Sequence, residues 1–140
     1  MNGYLLVWAD GKEYGLPVDQ VVEVADGFEL YPAPSSHPAV RGVAPLRNRL
    51  VPLVNLAWLL TETAPDSLAS ELVVLVNAGH TLLALQVDDA EEVANEMPRP
   101  VPEAWQLPWS AGVAERGDTL IPIVDIELLV ERLVPAEVKA

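Results

Sequence analysis

The 140-residue chain has no cysteine, which excludes a disulfide framework, a thiol nucleophile and a thiolate metal site. Basic residues are scarce as well, eight against 21 acidic ones, for a formal net charge of −13. Nucleic-acid binding draws most of its affinity from phosphate neutralisation, so neither nucleic acid nor an anionic membrane surface fits as a partner. Solubility explains the charge; steering toward a basic patch on a protein partner is the sharper alternative. No window approaches 18 uninterrupted apolar residues, so no membrane span is expected. The opening MNGYLLVWADGKEYG has no basic leader, and Asp10 and Lys12 cut its apolar run short, unlike a signal peptide. The expected location is cytoplasmic, without direct membrane insertion.

Chemistry-bearing patterns are equally sparse. His37 and His80 fall in a proline-rich stretch and a hairpin turn, without ligand spacing around either, and read as surface histidines. No Gly-rich phosphate loop or EF-hand pattern occurs. The cluster Asp88, Asp89, Glu91 and Glu92 lacks the alternating ligands and central glycine of a calcium loop and reads as a solvated face. The expectation is no enzyme, no cofactor and no metal.

What the chain does have is a repeat. Gly42–Leu60 (GVAPLRNRLVPLVNLAWLL) lies without a gap over Gly112–Val130 (GVAERGDTLIPIVDIELLV) at a shift of 70 residues. Gly42/Gly112, Val43/Val113, Ala44/Ala114, Leu50/Leu120, Pro52/Pro122, Val54/Val124 and Leu59/Leu129 are identical pairs. Self-similarity of this kind decides an architecture before any local reading does. Half the residues are apolar, 51%, enough for a core. A half of roughly 60–70 residues would be marginal alone, so the halves should pack together.

Local signals fill in each half. Tyr4–Ala9 and Glu13–Val18 flank Asp10-Gly11, a strong hairpin signal. Residues 19–24 read as one helical turn or a return into strand. Residues 31–38, with three prolines, are an extended connection. Val40–Leu46 and Leu50–Val54 are strands joined at Arg47-Asn48-Arg49, where Asn tolerates the left-handed conformation, and Asn55 caps a short helix, Leu56–Leu60. In the second half, Leu72–Val76 and Thr81–Val87 form a hairpin in which Gly79 stands where Gly11 stands in the first. Glu96–Pro108 repeats the proline-rich connection. Ser110–Glu115 and Thr119–Val124 form the last hairpin, and Asp125 caps a helix, Ile126–Leu133, that ends before Pro135. Pro52 and Pro122 occupy one strand position and suggest an edge or a bulge.

Short, evenly spaced strands predict an all-β fold: two small five-stranded β-barrel subdomains related by the internal repeat, with short helices ending each half. The chain, residues 1–140, is expected to be a single domain. Subdomain one spans about 4–60, a linker 61–70, and subdomain two about 71–134.

The repeat also tests an enzyme hypothesis. Two carboxylates at equivalent positions could share a proton as in aspartic proteases, but Asp118 aligns with Asn48 and Asp125 with Asn55. That pair does not exist. Trp8 and Trp58 fall within predicted elements and are expected in the core. Trp105 and Trp109 either staple their loop onto a barrel or offer a partner an anchor, and the staple is expected, since most aromatics pack internally. Arg41, Arg47 and Arg49 crowd into nine positions of an acidic protein. A solvated turn explains Arg49, and an ion pair with Glu23 is one reading of Arg47.

Several motifs together resemble the CheW-like domain family. They are Glu13-Tyr14-Gly15-Leu16-Pro17-Val18 followed by Val21 and Glu23-Val24, and Pro32, Pro34 and Pro38 before Val40-Arg41-Gly42-Val43 and Leu46-Arg47. Leu50-Val51-Pro52-Leu53-Val54-Asn55-Leu56, Leu82–Val93 and Gly112–Leu129 complete the pattern, which spans residues 4–130 in order. The resemblance implies paired five-stranded barrels around a hydrophobic core, without enzymatic activity. It implies a chemosensory adaptor, peripheral to receptor arrays in the cytoplasm, that binds the chemoreceptor cytoplasmic tip and the regulatory domain of a CheA-type histidine kinase. Carried over by position, Glu23 and Arg47 match residues associated with receptor coupling. Val22 and Val24 are adjoining apolar contacts, and Arg41 joins them as a candidate partner-binding residue. Asn48 stands where the pattern has glycine. Pro45 stands where it has a polar residue, and so removes a backbone donor from the edge facing the receptor. The alternatives are a module binding a small ligand between the halves, or an array-localising component without receptor coupling.

Overall fold

The computed structural model describes residues 3–33, 35, 37–92 and 98–133. Among them, the chain order is β1 (Tyr4–Ala9), β2 (Lys12–Pro17), β3 (Val21–Asp26), β4 (Val40–Leu46), β5 (Arg49–Asn55), α1 (Leu56–Thr61), β6 (Leu72–Ala78), β7 (Thr81–Val87), β8 (Asp89–Glu92), β9 (Ser110–Arg116), β10 (Thr119–Val124) and α2 (Ile126–Leu133). Of residues 19–24, undecided from sequence, Asp19 and Gln20 join Val18, expected as the end of a strand, in a single 3₁₀ turn, and the rest return into β3, so both readings are realised in succession. Pro135, the expected helix stop, lies outside the described residues, as do residues 93–97 before and within the second proline-rich connection.

The strands form two five-stranded sheets, in the orders β8-β1-β2-β10-β9 and β3-β6-β7-β5-β4. Replacing each strand of the first sheet by its repeat partner gives the second sheet, which is the expected pseudo-symmetry. The halves, however, are interleaved. The first sheet takes its β1–β2 hairpin from the first half and β8, β9 and β10 from the second; the second sheet is built the opposite way. The division at 61–70 thus separates the sequence repeats, whereas each sheet draws strands from both sides of it. Parallel pairing joins the halves at Ile123↔Gly15 in one sheet and at Leu53↔Ala84, Val54↔Leu85 and Asn55↔Gln86 in the other.

Among the described residues, neither sheet closes into a barrel by a ladder between its outer strands. The second sheet is nonetheless rolled, because its outer strands reach one inner cluster, and in the first Arg116 of β9 comes within 3.5 Å of Glu91 of β8. In the second sheet Val22 and Ala25 of β3 pack against the cluster that holds Ala44 of β4, with Leu53, Leu75 and Ala84 between. Tyr4, Leu6, Ala114, Ile121 and Ile123 fill the first sheet. The largest cluster lies between the two sheets and takes Leu5, Val7 and Leu16, the helix residues Leu56, Leu59, Ile126 and Leu129, and Trp109. Strand β1 serves both, with alternate residues facing opposite ways.

The repeated glycines and prolines acquire causes. Tyr31 exchanges both backbone hydrogen bonds with Val43, and Arg99 does the same with Val113. These bridges lay each proline-rich connection directly on the strand beside Gly42 or Gly112. A Cβ on Gly42 would collide with the Tyr31 carbonyl oxygen, and one on Gly112 would lie 2.7 Å from that of Arg99. Since Val43 and Val113 spend their backbone groups outward, Pro52 and Pro122 opposite them sit in non-hydrogen-bonded pairs. Their nitrogens point toward β7 and β2, where parallel pairing has not yet begun. The prolines therefore lie in interior strands, at positions whose neighbour is missing; of the expected edge or bulge, the edge is not found, while the register shifts of the β4–β5 and β9–β10 pairs lie close by.

Candidate functional site

The open rim of the second sheet carries the first-half residues singled out in the sequence. β4 and β5 are joined by a two-residue turn, Arg47-Asn48, in which both residues have positive φ, 51° and 61°. That is the twist a tight hairpin prefers. At the equivalent place in the other sheet stands Gly117, with φ of 62°. The turn projects Arg47 across the gap between the outer strands. Its Nε donates to Oε1 of Glu23 on β3 at 2.8 Å, with 54% and 40% of the two side chains exposed. Exposed pairs of this kind contribute about 0–1 kcal/mol, so the bridge fixes surface geometry more than it holds the sheet.

The other predicted residues divide. Register in β3 shifts between Val21 and Glu23, leaving Val22 without an opposite residue. Val22 turns partly inward against the cluster within the sheet. Val24 is exposed beside the bridge at 45%. Arg41 does not join this surface. It sits at the far end of β4, where the register shifts between Val40 and Gly42, and such a bulge re-aims a side chain. Its Nη1 donates to Oε1 of Gln86 at 2.8 Å and to the Leu68 carbonyl at 3.4 Å. The same Gln86 oxygen accepts from Asn55 Nδ2 at 3.1 Å, and Gln86 Nε2 donates to the carbonyls of Leu68 at 3.0 Å and Ser70 at 2.6 Å. Gln86 is 1% exposed. Arg41 thus belongs to an internal knot that pins the linker.

Sequence reasoning passed over other rim residues. Leu50, directly opposite Pro45, is 69% exposed, and Tyr31 is half exposed with its hydroxyl donating to Glu29 at 2.8 Å. That hydrogen bond, with the Glu29 charge, raises the Tyr31 phenol above its ordinary value. The sequence marks Leu50 as half of an identical repeat pair and as a strand residue of the Leu50–Leu56 motif, but alternation alone does not tell which face of a rolled strand meets solvent.

The first sheet has its own bridge. Arg116 of β9 lies 3.5 Å from Glu91 of β8 and 3.6 Å from Glu13 of β2. Both rims are thus crossed by an arginine–glutamate contact, at different positions of the repeat. A groove of about 590 Å³ runs between β2, β10 and the end of α1, with Tyr14, Trp105 and Pro122 in its walls. Its counterpart of about 300 Å³ has Leu83, Pro52 and Val130 in the matching places. Both open where the strands part at the repeated prolines, so they follow from the fold. Trp109 is buried edge-on to Tyr14 at 5.7 Å, as a staple would be, whereas Trp105 remains 37% exposed. Among the described residues no group of three or more metal-ligating side chains gathers, and no helix is long and apolar enough to cross a membrane.

Comparison with known proteins agrees with this architecture. The chain is 24% identical over 132 residues to a chemotaxis protein CheW of Klebsiella aerogenes, covering 90% of this chain and 80% of that one. The crystal structure of the scaffolding protein TtCheW from Thermoanaerobacter tengcongensis superposes with a TM-score of 0.81 at 20% identity, over 94% of both chains. With residues 3–134 matching the CheW-like domain as a family, the chain belongs to the CheW-like domain family.

Proposed function

We propose that the protein is a non-enzymatic chemosensory adaptor that couples chemoreceptors to a CheA-type histidine kinase by protein–protein contacts. The observation that carries this reading is the Arg47–Glu23 bridge across the open rim of the second sheet, with Val24 exposed beside it. A fixed charge pair with an apolar neighbour suits a modest, exchangeable interface, in which charges set register and apolar area supplies affinity. Its partner there is the cytoplasmic tip of a chemoreceptor. The regulatory domain of the kinase is the second partner, and the protein works in the cytoplasm at the periphery of receptor arrays. Of the five predicted residues, Glu23, Arg47 and Val24 form the contact surface, Val22 supports it from beneath, and Arg41 acts internally.

Titration calorimetry against the cognate kinase regulatory domain is expected to give saturable one-to-one binding; absence of heat in the micromolar range counts against the adaptor. Arg47→Ala and Glu23→Ala are expected to weaken receptor-dependent kinase control while leaving unfolding free energy within about 1 kcal/mol. Full control in both variants would remove the bridge from the site.

A further inference from the structure

We propose that the two halves of this chain are exchangeable modules, and that two copies can trade them through the linker to form a dimer of two complete CheW-like units. The argument starts from the ladders. Among the described residues, the only strand pairings within either half are its two hairpins: β1–β2 and β4–β5 in the first, β6–β7 and β9–β10 in the second. Every other pairing crosses between halves, namely β1–β8, β2–β10, β3–β6 and β5–β7. Among the described residues, strands β3 and β8 have ladder partners only in the opposite half. A half therefore cannot complete its sheets alone, and what completes them is the opposite half of any copy.

Covalent continuity enters this assembly only at the linker. Its rear part is anchored chiefly to the second half, because Leu68 and Ser70 are tied to Gln86 and the Ser70 hydroxyl donates to the Val87 carbonyl at 2.6 Å, while Arg41 of the first half adds a longer bond to the Leu68 carbonyl at 3.4 Å. Residues 62–67 are exposed except for Pro65, which is half-buried. The backbone N–H of Asp66 reaches back to the first half at Asp10 Oδ1, 3.4 Å away, and Glu62 Oε1 accepts from Arg132 at 3.0 Å. This short segment is the hinge. Crossing it to a second copy leaves every ladder, both inner clusters and the knot at Gln86 as they are. Such conservation of contacts is what makes domain swapping a low-cost route to a dimer. The product carries two copies of each outer surface on one assembly.

The test follows the halves themselves. Two full-length samples, one isotopically heavy, carry a protease-recognition sequence inserted between Thr63 and Ala64. They are unfolded together in urea and refolded at high concentration. The expected product includes a species of twice the 15.1 kDa chain mass. After cleavage in the hinge, native mass spectrometry should find it fallen to monomer-sized units that pair a heavy first half with a light second half. Samples folded and cleaved separately, then mixed, should give no such mixed units. Only same-isotope pairs after co-refolding would overturn the proposal. Should the insertion itself prevent folding, two wild-type chains with different tags serve in its place. Co-capture after joint refolding but not after mixing folded proteins supports exchange; no co-capture, or equal co-capture in both, refutes it.

Discussion

Where Arg41, Asn55 and Gln86 meet in the second sheet, the first sheet has Ala111, Asp125 and Pro17. The register places these residues at equivalent points, Asn55 beside Gln86 on the parallel strands β5 and β7, and Pro17 two residues beyond the Gly15–Ile123 bridge. Both caps work, for Asn55 Oδ1 accepts from the Trp58 N–H at 3.0 Å and Asp125 Oδ1 from that of Leu128 at 3.1 Å. Only the second sheet adds a buried amide with four hydrogen bonds around it. The reason is topological. A duplicated chain has one linker, so only one of two equivalent corners has a strand of chain passing over it with carbonyls to satisfy. What the sheets share, the close-approach glycines and the strand prolines, comes from the fold; what they do not share comes from the chain's being continuous.

The comparison can be broken at three depths. Deepest is the shared glycine pair. Gly42→Ala should cost about 4 kcal/mol in chemical denaturation, combining an unfavourable backbone conformation with displacement of the Tyr31 connection. Gly112→Ala should cost less, because its Cβ has more room; equal costs would show that the connections do not rest on the strands as described. Next comes the knot. Gln86→Leu keeps the volume but strands the linker carbonyls and the Arg41 guanidinium, a loss of about 2–3 kcal/mol. A loss under half a kcal/mol would mean that water replaces the amide at no cost.

The smallest effect appears only at high pH. Tyr14 in the first sheet occupies the place of Leu83 in the second. Burial, helped by the nearby Asp10 charge, raises its phenol above the ordinary value. The folded state therefore holds the proton longer than the unfolded chain. Its contribution is intact below about pH 10, the unfolded value, and is lost as pH climbs through the raised folded one. Melting temperature should fall more steeply above that pH in the wild type than in Tyr14→Phe. Parallel curves would exclude the ring as the source.

Much of this was legible in the chain. Asp10-Gly11 does form a two-residue turn with both φ values positive, Asn55 and Asp125 do cap helices, and the strand boundaries of the 42–60 and 112–130 copies hold to within a residue. Gly79 is one position off, standing at the place of Asp10 in its turn rather than of Gly11. The interleaving was not legible, because a repeat states which strands are equivalent and not which copy each will pair with. Hairpin β1–β2 would show the same alternation beside β5 as beside β10. The placement of Arg41 away from the rim was not legible for a related reason. Its inward course depends on a bulge and on a glutamine 45 residues away, neither of which leaves a mark on the sequence around it.

The backbone of Arg47 carries one last implication. A side chain in the left-handed conformation costs roughly 1–2 kcal/mol that glycine avoids, whereas the ion pair it makes with Glu23 returns about 1 kcal/mol at most. The second copy of the turn has Gly117 at the same position with nearly the same φ, although its next residue, Asp118, does not share the positive φ of Asn48. Stability alone would therefore place glycine at 47. A redesign for heat resistance that optimised every turn would choose it too, and would make the hairpin more robust while erasing the one charge that spans the rim.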